Sequence, residues 1–303
     1  MPLNASFANA LKSAHEAAAA QHYPPCTLYV VATPIGNLAD ITLRALHVLQ
    51  LADSIACEDT RHTQPLLRAY GIEKSGAQLL AVHQHNEAQA CETVLQRLRS
   101  GQRVAYVSDA GTPGVSDPGA RLVAAAVAAG LKVVPLPGAS SVTTALSVAG
   151  IVHEEGFVFA GFPPVKAMER DATVAAWAME PRTVVLLEAP HRIEALAKSL
   201  ATLGTRAVTV ARELSKQFEE VATVPAQTLG DWLREQPQRQ RGEFVLVLHP
   251  QALGVDAGDD LRILKLLLAE LPVKTAVKLA AQLSGSSRNK LYELALSLKC
   301  EVD

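Results

Sequence analysis

The sequence has few aromatic residues: Phe, Tyr and Trp make up only 4% of it. Any stacking against a planar ligand must therefore rest on a handful of positions. Cysteine is also scarce. Cys26, Cys57, Cys91 and Cys300 are scattered with no C-x-x-C spacing, a pattern of reduced, packed thiols in a cytoplasm and not of disulfides or a zinc site. No apolar run reaches the ~20 residues that a membrane span requires. The N-terminal stretch lacks a basic segment leading into an apolar one, so no secretory signal is expected. A large charge of either sign is missing too. The formal net charge is −2, so attraction to nucleic acid must come from local basic patches. Two nucleotide signatures are absent. The first strand is followed by TPIGNL and not by G-x-G-x-x-G, and no Walker loop occurs.

Apolar residues make up 49% of 303 positions, enough for a sizeable core and for about two domains at ~150 residues each. Residues 1–25, alanine-rich and closing on Pro24-Pro25, read as a flexible extension. From Thr27 the chain alternates strand-like and helix-like segments. TLYVVATP, DSIACED, QLLAVHQH, QRVAYVSD and LKVVPLPG are strand-like. DITLRALHVLQLA, with Asp40 as its expected cap, EAQACETVLQRLRSG and ARLVAAAVAAG are helix-like. This rhythm predicts a mostly parallel α/β domain over 26–150. SSVTTALSVAGIV predicts a linking helix, with the boundary near Gly150. A second α/β domain over 151–250 follows from GFVFAGF, RTVVLLEA, RAVTVARE and GEFVLVLHP, with helices among them.

Residues 258–303 read as three helices, the second opened by Pro272 and closed by Gly285, the third capped by Ser286 or Ser287. The last two give a helix-turn-helix outline. Between Arg262 and Lys299 seven basic residues face two acidic ones, an excess of five positive charges. Either this tail is a solvated helical cap, or it touches nucleic acid through Arg288, Asn289 and Lys290 at a helix start.

The stretch VSDAGTPGVSDPG, 107–119, is the most informative one. A buried strand opens into a loop rich in Gly and Pro, where a ligand can approach the backbone closely. Asp109 stands at the strand end, and Asp117 reads as the cap of the next helix. TPIGN (33–37) and PLPGASS (135–141) end two other strands, so three such loops are positioned to converge on one crevice. The failed phosphate motifs favour a ligand with adenosine and amino acid parts, held largely by backbone groups.

TPIGNL (33–38), EDTR (58–61), HNE (85–87), SDAGTP (108–113), SDPG (116–119), PLPG (135–138), EAPHR (188–192), AREL (211–214) and GE (242–243) occur in this order. Together they closely resemble the small-subunit (16S) ribosomal RNA cytidine 2′-O-methyltransferases of the tetrapyrrole methylase superfamily. The resemblance runs from about Thr27 to the C-terminus. Ala189, where the family often has serine, and Ser215, where it has threonine, are modest departures. The resemblance implies two α/β domains of the tetrapyrrole methylase type with an interdomain cofactor cleft, plus a small C-terminal helical domain. It also implies S-adenosyl-L-methionine as cofactor and methyl transfer to a cytidine ribose oxygen of 16S ribosomal RNA or the small ribosomal subunit. A cytoplasmic homodimer is implied as well.

Carried over by position, Pro34, Ile35 and Gly36 would line one side of the cofactor. Asp109, Ala110, Gly111 and Thr112 would hold its methionine portion. Ser141 and Val142 would face it across the linking segment, and Leu187, Ala211 and Glu243 would enclose the adenine. Candidates for a general base are Glu58, Asp59 and His85. Glu58-Asp59 reads more simply as a helix cap paired with Arg61, and His85 as a hydrogen-bonded packing residue. Arg61, Arg192 and Lys166 are candidates for phosphate contact, as are Arg288 and Lys290 in the tail. Phe162 reads as a rim residue or, more simply, a core one. Two other readings stay open: a tetrapyrrole C-methyltransferase of the same fold, and a helix-turn-helix regulator.

Overall fold

The computed structural model describes residues 7–83, 87–117, 119–152, 156–251, 257–284 and 287–300. After α1 (Ala8–Ala18), strands and helices alternate: β1 (Thr27–Val31), α2 (Leu43–Leu51), β2 (Ser54–Cys57), α3 (Thr60–Ala69), β3 (Leu79–Ala81), α4 (Glu87–Arg99), β4 (Arg103–Val107), α5 (Gly119–Ala128) and β5 (Lys132–Leu136). The sheet order is β3-β2-β4-β1-β5, with every pairing parallel. The strands are short apolar runs because helices cover both faces. On one face Tyr29 and Val31 pack with Leu46 and Leu49 of α2 and Leu67 of α3. On the other Leu28, Val104 and Tyr106 pack with Val94 and Leu98 of α4 and Leu122 of α5.

The chain leaves β1 toward β2 on one side and leaves β4 toward β5 on the other. The helices that follow β1 and β4, α2 and α5, lie on opposite faces, so the loops after β1 and β4 part at the carboxyl edge of the sheet, where ligands bind in such folds.

Two local expectations are corrected. Asp40 lies in a 3-10 turn, Leu38–Asp40, and the cap of α2 is Thr42, whose hydroxyl accepts from the Ala45 N–H at 3.1 Å. The N-terminal segment is not a loose extension over Ala8–Ala18. It is a helix docked on α2, with Ala14 and Ala18 buried and Phe7 set edge-on to Tyr70. Alanines supply both the helix propensity and the close approach, while Phe7 and Leu11 add apolar contact.

The second half contains α6 (Ser141–Val148), β6 (Phe157–Gly161), α7 (Ala167–Ala178), β7 (Thr183–Glu188), α8 (Ile193–Leu200), β8 (Ala207–Arg212), β9 (Glu220–Pro225), α9 (Leu229–Glu235) and β10 (Phe244–Leu248). Its sheet order is β6-β7-β10-β8-β9. Only β6–β7 is parallel; β10 is antiparallel to β7 and β8, and β8 is antiparallel to β9. The loop from β8 to β9 is too short for a parallel crossover, so β9 returns antiparallel to β8. One face packs under α7, α8 and α9 through Val184, Leu186, Leu196, Leu200 and Leu233. The other face, with Val185, Ala211, Val245 and Val247, packs on Val142 and Ala145 of α6 and on Ile35. The two sheets thus meet through α6 and the loop after β1.

The tail forms α10 (Ala257–Glu270), α11 (Val273–Ser284) and α12 (Arg288–Cys300) around a small core of Leu264, Val277, Ala280, Leu291 and Ala295. Pro272 precedes α11, its carbonyl accepting from Thr275 and Ala276 at 2.9 and 3.0 Å. Gly285 and Ser286 lie outside the described residues. Among the described residues, no helix is long and apolar enough to cross a membrane.

Candidate active site

The three Gly/Pro loops are stitched together by main-chain hydrogen bonds and by threonine hydroxyls. Thr33 N–H donates to the Gly111 carbonyl at 2.9 Å, and Gly111 N–H donates back to Thr33 at 3.1 Å. The Thr33 hydroxyl donates to the Ser108 carbonyl at 3.3 Å, and the Thr112 hydroxyl donates to the Ala139 carbonyl at 2.9 Å. Gly111 takes a left-handed φ of 81°, and a Cβ there would sit 3.2 Å from Ile35. A side chain at 111 would therefore strain the backbone and push on the cleft wall.

These loops form one wall of a cleft of about 480 Å³ whose other wall is the second sheet. Ile35, Asp109, Ala110, Gly111, Thr112, Ser141, Val142, Leu187, Ala211 and Glu243 all line it, so most of the expected cofactor set is brought together. Glu58 lines it as well. Pro34 and Gly36 do not. Gly36 meets the other lobe, where a Cβ would lie 2.9 Å from both the Leu214 carbonyl oxygen and the Ser215 hydroxyl. Ser215 in turn accepts from the Asn37 N–H at 3.1 Å. Glu213 and Ser215 occupy left-handed conformations, φ 52° and 61°, that side chains other than Gly and Asn rarely adopt. Lys216 bridges Glu213 and Glu243, each at 2.8 Å, and so pins this corner together.

The carboxylates near the loops fall into different roles. Asp117 accepts from Tyr106 OH and from the Gly114 and Gly119 N–H groups, a structural knot that holds the loop and starts α5. Asp59 caps α3 and chelates Arg61, the closest contact being 2.6 Å. That pairing holds its carboxyl down at about 2. Glu58 is pushed upward, chiefly by burial and then by the charges of Asp109 and Asp117, against a hydrogen bond from the Asp109 main chain. His85 lies outside the described residues.

Arg61 remains exposed despite its pairing, and Lys166 is exposed beside Glu169 at 3.0 Å. Arg192 is not presented to solvent as a phosphate ligand would be. Its side chain is 19% exposed, Nε contacts Glu188 at 2.9 Å, and a terminal nitrogen donates to the Pro163 carbonyl. It holds the 162–166 loop, and Phe162 on that loop is half exposed at the cleft, not in the core. Arg288 and Lys290 are exposed at the start of α12.

Sequence reasoning missed His62. Its Nδ1 lies 2.8 Å from Asp109 Oδ2, and this carboxylate raises the imidazole above its ordinary value, by hydrogen bonding first and by charge second. Glu188 was missed too. It lines the cleft and is buried, and Oε2 has no hydrogen-bond partner among the described residues.

The residues fit a cofactor of the expected kind. The volume suits a small molecule. Its lining combines apolar Ile35, Val142, Leu187 and Val245 with polar Ser108, Ser140 and Ser141.

Comparison with known proteins agrees with this architecture. A family described as "Tetrapyrrole (Corrin/Porphyrin) Methylases" matches residues 27–230, and the "RsmI C-terminal HTH domain" matches residues 254–299. Ribosomal RNA small subunit methyltransferase I of Escherichia coli O157:H7 is 47% identical over 273 residues, 89% of this chain and 94% of that protein. The protein of the same name from Neisseria meningitidis serogroup B is 48% identical over 280 residues, 90% of this chain and 94% of that protein. Among solved structures, cobalt precorrin-4 methyltransferase superposes with a TM-score of 0.53 at 20% identity, covering 73% of this chain and 94% of that one. Uroporphyrin-III C-methyltransferase from Thermus thermophilus, complexed with S-adenosyl homocysteine, gives 0.51 at 20% identity, covering 74% and 97%. At that identity the likeness speaks to the fold alone.

Proposed function

Because this chain belongs to the ribosomal RNA small subunit methyltransferase I family, with the tetrapyrrole methylase fold, we propose that it methylates a cytidine ribose 2′-oxygen of 16S ribosomal RNA. The methyl donor is S-adenosylmethionine and the acceptor is ribosomal RNA or the small subunit. The enzyme works in the cytoplasm as a homodimer. The observation that carries the reading is the cleft itself: the 108–112 loop, locked to Thr33 through main-chain atoms and to Ala139 through the Thr112 hydroxyl, faces the second sheet across space for one small molecule.

S-adenosylmethionine supplies an already activated methyl group, so the chain's own work is alignment and proton removal. Alignment alone can lower a barrier by roughly 7–11 kcal/mol. Asp109, Ala110, Gly111 and Thr112 would hold the methionine portion, with Ser141 and Val142 opposite. Leu187, Ala211 and Glu243 would enclose the adenine, and Lys216 fixes the Glu243 carboxylate in place. Arg61, Lys166, Arg288 and Lys290 would meet phosphates from outside the cleft. Tetrapyrrole methylation, the other reading of this fold, has the broad family description and distant structural likeness behind it, whereas the relatives at 47% and 48% identity carry the ribosomal RNA name.

Titration calorimetry with S-adenosylmethionine, followed by incubation of the protein with labelled cofactor and either small ribosomal subunits or a porphyrinoid precursor, tests the reading. Binding heat and label in the subunits are expected. Label in the porphyrinoid alone would overturn the assignment.

A further inference from the structure

We propose that His62 and Asp109 form a catalytic dyad in which His62 Nε2 takes the proton of the acceptor hydroxyl. The inference rests on the methyl-transfer reading above. His62 lies in the first turn of α3, and Asp109 lies just past β4. Strands β2 and β4 are neighbours in register, so the two loops rise side by side at the carboxyl edge of the sheet. The dyad bridges them at 2.8 Å.

A carboxylate only accepts, so the ring must donate through Nδ1–H, which leaves Nε2 as the basic atom. Among the described residues the ring makes no other hydrogen bond, and its side chain is 65% exposed beside a cleft-lining residue. The neighbouring carboxylates are otherwise engaged. Glu58 accepts from the Asp109 main chain, and Asp59 is held by Arg61 and by the start of α3. Asp109 Oδ1 carries no hydrogen bond among the described residues, so the same carboxylate can orient the imidazole and still face the cofactor. The charged groups around the ring are Asp109 and Asp59, which favour its protonated form, and Arg61, which opposes it.

The step balances. The O–H bond breaks toward Nε2 as the oxygen bonds to the methyl carbon, and the electron pair of the carbon–sulfur bond goes to sulfur. The base must be neutral to act, so turnover should rise with pH through the His62 titration. That limb should lie above the ordinary imidazole value of about 6.5.

Two measurements test this. In the first, the imidazole of the cofactor-free protein is titrated by NMR, in wild type and in Asp109→Asn. Expected is an elevated wild-type value that falls toward the ordinary one in the variant. A normal value in both would overturn the dyad. In the second, kcat against pH is measured with small subunits at saturating cofactor for wild type, His62→Ala and Glu58→Gln. His62→Ala should lose about 10²-fold or more in kcat, lose the acid limb, and keep its cofactor affinity by calorimetry. An unchanged kcat, an equal loss of cofactor affinity, or an acid limb abolished by Glu58→Gln and kept by His62→Ala would each overturn the proposal. Wild-type protein that binds cofactor but labels no subunit would overturn the functional reading, and the dyad with it, even if the NMR pairing stands.

Discussion

At the scale of single residues, position along a motif and position in the site are different things. Pro34, Ile35 and Gly36 are consecutive, yet only Ile35 lines the cleft. Gly36 lets the loop after β1 close against the 213–216 corner of the other lobe. A Gly36→Ala substitution should therefore act through lobe apposition. It should lower the melting temperature and weaken cofactor binding together, as differential scanning calorimetry and calorimetric titration would show. Asp109→Ala makes a cleaner contrast. Its side chain supports no backbone of the loop, and among the described residues its one hydrogen bond is to His62. Loss of a hydrogen bond to a charged group removes about 1.5–3 kcal/mol, so cofactor affinity should fall roughly tenfold to a hundredfold. The melting temperature without cofactor should barely move. Unchanged affinity would remove Asp109 from the clamp.

At the scale of elements, what was legible in the sequence follows from how each segment is buried. The strands of the first sheet stood out because burial on both faces makes them unbroken apolar runs, as in LYVV and RVAYV. β9 was missed because it is an edge strand whose residues alternate between half-buried and exposed, with a proline at its end. α1 was missed because no side chain caps its start and its alanine-rich run toward Pro24-Pro25 reads like a linker. His62 escaped because its partner is 47 residues away, and only the parallel pairing of β2 with β4 brings the two together.

The docking of α1 carries a pH prediction. His47 of α2 is buried against His15 of α1 and Tyr23, its Nδ1 has no partner among the described residues, and burial first and His15 second lower its value. A lowered folded-state value means that the unfolded chain binds a proton the folded chain refuses. Stability is then retained above the ordinary imidazole value, about 6.5, and lost as pH falls through it. His249 adds in the same direction, through burial and then Arg206. Amide exchange over α1 should therefore accelerate, as pH falls through about 6.5, more than over α4 once the intrinsic exchange rate is divided out. A His47→Leu variant should flatten that difference; equal acceleration in both helices would remove His47 as its cause.

At the scale of the whole molecule, charge is distributed unevenly. The chain carries −2 overall, yet residues 262–299 carry +5; the acidic Asp259, Asp260, Glu301 and Asp303 that flank this segment bring 258–303 to +1, which leaves −3 for residues 1–257. A polyanion approaching such a molecule meets a repulsive body and an attractive tail. The tail should therefore lead the encounter and hold the acceptor while the cleft works on one nucleotide. Arg288 and Lys290 stand exposed at the start of α12, where side chains can reach phosphates without disturbing the small core behind them. Reversing both, Arg288→Glu with Lys290→Glu, changes the 262–299 segment by four charges, from +5 to +1. Affinity for small subunits should drop, and the slope of log affinity against log salt should become shallower by about 0.7–0.9 for every phosphate that the tail no longer neutralises. Cofactor affinity should stay at the wild-type value, since neither residue lines the cleft. The measurement is a salt series of subunit binding for wild type and the double variant. Superimposable lines would make the tail a solvated cap and shift acceptor recognition to Arg61, Lys166 and the cleft rim.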